Sequence, residues 1–170
     1  WAFFLRLGYG NQDFLYGSKR KVEVSLEVDH ENYRFYRFER DPEWEERQVV
    51  MLLELGLING TADFGFVPET GYDNSVYGLI GWINENRTIL KEKNIIVRQH
   101  NSKTPFYLDG SIIDVLGEQN DDWFDIYGRI KLNGYEIPFM HLKRNIMKGI
   151  REFVLPDDKI FVIPEIWFTR

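Results

Sequence analysis

The sequence contains no cysteine among its 170 residues. This absence excludes a disulfide framework, a zinc site built on thiolates and a cysteine nucleophile. Cysteine-free chains are typical of reducing compartments, so the predicted location is cytoplasmic.

Long apolar runs are also missing, since none approaches the roughly 18 residues that cross a bilayer. The first residues, 1–7, lack the basic segment and small-residue cleavage site of a signal peptide. We therefore expect no membrane partner. The chain begins without Met. It ends in residues 163–168, a sequence typical of the first turn of a helix that begins at Pro164. The expectation is a fragment of a longer protein.

A basic excess is lacking as well, because 21 Lys and Arg face 27 Asp and Glu, for a net charge of −6. Proteins that hold a duplex mainly by counterion release are usually basic. Broad electrostatic DNA binding by this chain alone is therefore not expected. With 44% hydrophobic residues, the length suits one core rather than two typical domains, and residues 1–170 are predicted to form a single domain.

The first half of the chain carries strand patterns followed by helix patterns. Alternating apolar residues predict half-buried strands over 5–9 and 22–28, and 33–39 extends this antiparallel meander. Asp41 and Pro42 then predict the start of a helix over 43–55, with Glu45 on its outer side. A second helix is expected over roughly 74–93, and strands return from Ile95 onward.

The dipeptide Asn133-Gly134 is a strong signal for a two-residue hairpin turn. Such a turn fixes three cross-strand pairs: Leu132 with Tyr135, Lys131 with Glu136 as an ion pair, and Ile130 with Ile137. Ile130 and Ile137 then face the core, whereas Trp123, Tyr127, Arg129 and Lys131 share the opposite face.

A third helix is predicted from about Phe139 to Lys148, ending at Gly149. Its apolar spacing buries Leu142 and Ile146. A last hairpin pairs residues 153–155 with 160–163, and its unbroken apolar runs predict burial on both faces. The fold class expected is α+β, with antiparallel strands and hairpins and two or three helices packed on the sheet.

The sequence contains no recognisable pattern of a catalytic, phosphate-binding or metal-binding site. The Gly8-Tyr9-Gly10 turn has no following phosphate-loop lysine, and the three histidines lack metal-ligand spacing. The acidic cluster at 118–125 lacks calcium-loop spacing and resembles a turn that enters a strand. We expect no catalytic residue, no cofactor-binding residue and no metal site in this chain.

Three surface features remain as candidates for binding. Lys143, Arg144 and Lys148 lie on the outer side of the third helix and are candidate DNA contacts; the alternative is a solvated helix face. Trp123 and Tyr127 are candidate partner-docking residues, because aromatics are enriched at interfaces. The segment 33–38 interleaves arginine with aromatic residues, which suits either base stacking or ordinary strand packing.

Several short sequence segments occur in the same order as in a known protein family. These segments are Asp122-Trp123-Phe124-Asp125, a hairpin into Ile137-Pro138-Phe139, a helix ending in Gly149, Leu155-Pro156-Asp157, and Ile163-Pro164-Glu165 before Trp167-Phe168. Together they resemble the accessory region that precedes the ATPase core in bacterial Swi/Snf-family helicases. Arg40-Asp41 and the acidic helix start after it are similar to an earlier part of that region. Asp158 departs from the family, which usually has glycine in that turn, and this predicts a different turn type rather than a different function.

The resemblance implies a parent chain that binds ATP and magnesium and translocates on double-stranded DNA. No ATP-binding motif of the family lies here, so no catalytic residue carries over. The implied partners are the ATPase core of the same chain, double-stranded DNA and another protein. The first hypothesis is thus a non-catalytic accessory domain; an independent protein-interaction module is the alternative, and an enzyme with an unrecognised site is a third.

Overall fold

The computed structural model describes residues 1–69, 75–100, 103–108, 129–132 and 134–168. Within these ranges the fold is α+β, as predicted. The strands are β1 (Phe3–Phe4), β2 (Arg6–Tyr9), β3 (Gln12–Leu15), β4 (Val22–Asp29), β5 (Asn32–Glu39), β6 (Leu57–Asn59), β7 (Gly65–Pro68), β8 (Arg129–Leu132), β9 (Tyr135–Pro138), β10 (Glu152–Val154) and β11 (Ile160–Val162). The helices are α1 (Pro42–Glu54), α2 (Val76–Glu92) and α3 (Phe139–Met147), and a 3₁₀ turn spans Glu165–Trp167.

The contacts of the chain group into two compact units, residues 1–79 and 80–170. Each unit is described by itself below. That residues 1–170 act as one domain stays a prediction. None of the described helices combines the length and apolar content that a bilayer span requires.

The first unit contains three small antiparallel sheets. β7 lies between β1 and β6, and β2 pairs with β3. In the β2–β3 pair, Leu7 stands opposite Phe14 and both side chains are buried. Phe66 on β7 is fully buried. The alternation in the N-terminal residues therefore does predict a strand with one inward face.

Helix α1 begins and ends where the sequence predicts. Asp41 caps it, because the Asp41 carboxylate accepts a hydrogen bond from the Trp44 amide at 3.0 Å. Pro42 occupies the first turn, where no donor is needed. Gly56 follows the helix at φ +81°, a left-handed conformation that glycine adopts without strain.

Strands β4 and β5 form a two-stranded ribbon whose register runs from Val22 opposite Glu39 to Asp29 opposite Asn32. The two strands were predicted, but they form their own sheet and do not continue β2 and β3 as one meander. The expected half-burial is also wrong, because Val24, Leu26 and Val28 are all exposed. Alternation marks an apolar face, but it does not say what covers that face.

The second unit contains the hairpin β8–β9 in the predicted register, with Leu132 opposite Tyr135 and Ile130 opposite Ile137. Both isoleucines are buried, and Arg129 and Lys131 are exposed, as expected. The ion pair differs from the prediction. Nη1 of Arg129 lies 3.3 Å from Oε1 of Glu136, so Glu136 pairs with its diagonal neighbour on the same face.

The core of the second unit joins β8, β9, α3 and the last hairpin. Its buried residues are Tyr107, Ile130, Leu132, Ile137, Leu142, Leu155, Phe161 and Ile163. The prediction for the last hairpin holds for its second strand, since Phe161 and Val162 are buried. It fails for the first strand, where Val154 is exposed.

Residues 95–100 contain no strand, contrary to prediction. Gln99 instead ties this segment to residues 104–106 through its side-chain amide. Its Nε2 donates to the Thr104 carbonyl at 2.6 Å, and its Oε1 accepts from the Phe106 amide at 2.8 Å. Phe106 in turn bridges to Ile160 on β11.

Candidate functional site

The candidate basic site stands on α3, which forms as the sequence predicts. Leu142 is fully buried in the core of the second unit, and this fixes which side of the helix faces outward. The amide of Lys148 donates to the carbonyls of Arg144 and Asn145, and Gly149 at φ +69° ends the helix. The side chain of Asn145 donates to the Glu152 carbonyl at 2.7 Å and ties the helix end to β10.

Three cations lie together on the outer side of α3. Lys143, Arg144 and Lys148 are all exposed, and none of them forms an ion pair with a residue in the described ranges. The helix itself contains no acidic residue. Met140 and Met147 are exposed on the same side, at one turn from the cations. We call this set of five residues the basic face.

The stability of the helix explains part of why these cations lie where they do. Arg144 and Lys148 lie in or next to the last turn, where cations interact favourably with the negative end of the helix dipole. Lys143 lies further from that end. Arg151, beyond the helix, is engaged elsewhere, since its Nη1 lies 3.6 Å from the Glu165 carboxylate.

The two candidate docking residues, Trp123 and Tyr127, lie outside the described residues. The acidic cluster at 118–125 lies outside them as well. The structure therefore does not test these predictions.

A network around Arg40 was missed by the sequence reasoning. Nε and Nη2 of Arg40 donate to the two carboxylate oxygens of Glu45 at 2.7 and 2.5 Å. Nη1 donates to the carbonyl and hydroxyl oxygens of Ser18 at 2.7 and 3.1 Å, and to the Arg20 carbonyl at 3.2 Å. The hydroxyl of Tyr9 donates to Glu45 Oε1 at 2.7 Å and accepts from the Asp41 amide at 2.9 Å.

This network corrects the prediction that Glu45 lies on the outer side of α1. Glu45 is buried, with only 5% of its surface exposed. The Arg40 side chain is 12% exposed and also lies over the ring of Phe14, 5.5 Å from its centre. The signal in the sequence was weak, because Tyr9 and Glu45 are 36 positions apart.

The electrostatics of the network follow from its hydrogen bonds. The bonds from Arg40 lower the pKa of the Glu45 carboxyl, against the opposing effect of burial. The same bonds raise the pKa of Arg40. Burial raises the pKa of the Tyr9 phenol, and its hydrogen bond to Glu45 adds to the rise. All three groups are held in one protonation state at neutral pH.

The network has structural consequences and no evident chemistry on a substrate. Each nitrogen of the Arg40 guanidinium has a partner, and both Glu45 oxygens are engaged. It joins the end of β2, the segment 18–20 and the first turn of α1. A network of this kind holds these elements together.

Other features of the described chain offer little to a small ligand. A depression between Pro42 and Glu54 is lined by residues of α1 alone, so a single helix side forms it. In the described ranges, no three His, Asp or Glu side chains are grouped as a metal site would need. The basic face is the best-defined candidate for binding among the features predicted from sequence.

Comparisons of the chain with protein-family models, with curated proteins and with solved structures found no match.

Proposed function

We propose that this chain is a non-catalytic accessory domain of a Swi/Snf-type DNA-dependent ATPase. In this role it docks onto or regulates the motor and assists the engagement of DNA or of a partner protein. ATP and magnesium are bound by the motor of the parent chain, and this domain contributes no residue to hydrolysis.

The observation that carries the proposal is the position of the residues that resemble the family. The sequence segments that resemble the accessory region contribute Ile137, Leu155 and Ile163 to one buried cluster. Phe139, Trp167 and Phe168 pack against that cluster, and the rings of Phe139 and Trp167 meet edge to face at 5.8 Å. The part of the resemblance that lies between residues 137 and 168 thus involves residues that pack into one core.

The turn between β10 and β11 contains the position at which the chain departs from the family pattern. Asp158 stands where the family usually has glycine, and its backbone has φ +63°. A left-handed conformation favours glycine and is tolerated by aspartate and asparagine. The departure from the family pattern is therefore compatible with an unchanged turn.

Within this proposal the basic face is the candidate contact to DNA, and a solvated helix face is the alternative. Its cations are exposed and free of ion pairs within the described ranges, so phosphates can approach them. The net charge of −6 opposes approach to DNA by the chain alone. Weak contacts that act only beside the motor fit both facts.

An independent protein-interaction module is the second candidate. The exposed apolar ribbon β4–β5 favours it, because large exposed apolar patches mark protein interfaces. This candidate requires no motor in the same chain.

The reading frame beyond residue 170 separates the two candidates. The proposal expects a Gly-Lys-Thr phosphate loop downstream, followed by an Asp-Glu-x-His strand. A frame that ends, or that continues without both motifs, would contradict the proposal and favour the interaction module.

A further inference from the structure

The outer side of helix α1 carries more acidic than basic residues. Val49 and Leu52 lie on its buried side, and the opposite side carries Val50 with four charged residues around it: Glu43, Glu46, Arg47 and Glu54. All four are exposed, and none of them forms an ion pair within the described ranges. We call Val50 and these four residues the acidic face.

The acidic face has an apolar centre. The Val50 side chain is 44% exposed, and Glu46 and Glu54 lie one turn before it and one turn after it on the same side of the helix. The depression along α1 is lined by the acidic face together with Pro42 and Met51. This surface therefore offers a shallow apolar groove between carboxylates.

The basic face of α3 has a similar layout with the opposite charge. Met140 and Met147 lie along its middle, two turns apart, and Lys143 and Arg144 lie between them. Met147 is 77% exposed and Met140 53%. Methionine side chains are flexible and fit irregular apolar surfaces. The basic face therefore projects apolar side chains that are flanked by cations.

The composition of the basic face favours a protein as its partner over a nucleic acid. Phosphates bind cations but gain nothing from the exposed thioethers of Met140 and Met147, whereas methionine and arginine are both enriched at protein interfaces. The net charge of −6 also opposes the approach of DNA. The partner that fits is a protein surface with carboxylates around an apolar centre.

We propose that the basic face of one copy of this chain packs on the acidic face of a second copy. The carboxylates beside Val50 then meet the cations beside Met140 and Met147, and the three apolar side chains meet each other. Charges that are complementary across an interface attract the partner and fix its orientation. A second copy covers both faces, whereas an unrelated acidic or basic protein covers only one of them.

The contact is heterologous, because it joins two different faces. A pair of copies leaves one basic face and one acidic face free, so further copies add in the same way unless a ring closes. Contact through one helix of each copy is small, and complexes of that size are weak. We expect association at concentrations on the order of 100 µM, and salt should weaken it by screening the charges. The inference goes beyond the function proposed above and does not rest on it.

Sedimentation equilibrium of the 170-residue chain tests the association. The weight-average mass should rise above the 20.3 kDa of one chain as the concentration increases, and it should fall back as salt is added. Two double variants each reverse one face: Lys143→Glu with Arg144→Glu, and Glu46→Lys with Glu54→Lys. Each reversal should weaken association by about tenfold or more, because like charges then meet across the contact.

A matched control separates the position of these charges from their number. Lys91 and Lys93 are exposed in and next to the last turn of α2, and neither belongs to the two faces. Lys91→Glu with Lys93→Glu changes the net charge as much as the reversal of the basic face does, and it should leave association as in the wild type. Circular dichroism confirms that each variant folds.

Mixing the two reversed variants tests the pairing of the faces. Neither variant should associate alone, but an equimolar mixture should, because the unaltered basic face of one meets the unaltered acidic face of the other. A wild type that stays monomeric at concentrations on the order of 500 µM overturns the proposal. So does association that both reversals leave unchanged, or a mixture that stays monomeric. A monomeric wild type that binds duplex DNA through its basic face assigns that face to DNA instead.

Discussion

Arg40 and Glu45 meet at two points, with Nε to Oε1 at 2.7 Å and Nη2 to Oε2 at 2.5 Å. Both side chains are almost fully shielded from solvent. Partners that share a buried contact of this kind depend on each other, because either one left alone is an uncompensated charge in a poorly solvated site. Three separate segments of the first unit converge on this pair.

Breaking this pair should destabilise the first unit strongly. Glu45→Gln leaves the Arg40 guanidinium buried without its counter-charge, and we expect a loss of about 3 kcal/mol in unfolding free energy. Urea denaturation followed by tryptophan fluorescence measures the loss. Asp13→Asn is the control, because the Arg6–Asp13 pair is exposed and should contribute under about 1 kcal/mol. Equal losses in the two variants would show that the buried pair has no special role.

The same pair predicts a dependence of stability on pH. The folded pKa of Glu45 is lower than its unfolded value, which is about 4.3 for a free glutamate. Its contribution is therefore fully present above that value and is lost as the pH falls through the lower folded pKa. The difference in unfolding free energy between wild type and Glu45→Gln should shrink as the pH is lowered below about 4. A difference that stays constant across this range would contradict the assignment.

The hairpin β8–β9 predicts a sharp contrast between two neighbouring positions. Ile130 is 1% exposed and lies opposite Ile137, so Ile130→Asp places a charge in the core of the second unit and should unfold it. Lys131→Asp, one position along and on the exposed face, should keep the fold. Thermal unfolding by circular dichroism compares them. A melting temperature of Ile130→Asp within a few degrees of wild type would refute the register.

Local signals in the sequence predicted helix α1 and the hairpin β8–β9. The Asn-Gly turn fixes the register of β8–β9, because a two-residue loop leaves one way to pair the strands. Asp41, Pro42 and Gly56 mark the ends of α1 through interactions with nearby backbone groups. Each of these signals acts within a few residues.

Features that depend on distant residues were not predictable in this way. Helical periodicity predicts that Glu45 lies on the outer side of α1, because it treats a charged residue as exposed. Its burial depends on Tyr9, from a different hairpin, and on the direction of the Arg40 side chain. The exposure of Val24, Leu26 and Val28 on β4 differs from the prediction for a related reason, since alternation identifies an apolar face without identifying what covers it.

The basic face on α3 gives two different expectations for one experiment. If Lys143, Arg144 and Lys148 contact phosphates, changing all three to Glu should abolish weak, salt-sensitive binding of duplex DNA. If the face is only solvated, DNA titrations should be unchanged, and Trp123→Ala with Tyr127→Ala should instead weaken docking onto the motor. We expect the docking outcome, because the net charge of −6 opposes unaided binding to DNA. Salt-sensitive binding by the wild-type chain that is lost in the triple variant would show this expectation to be wrong.

ATP hydrolysis by the full-length gene product tests the central claim most directly. The rate is measured with and without duplex DNA, beside the 170-residue chain under the same conditions. The account predicts that duplex DNA stimulates hydrolysis by the full-length protein and that the 170-residue chain alone hydrolyses no ATP. A full-length product without DNA-stimulated hydrolysis, or turnover by the 170-residue chain alone, would contradict it.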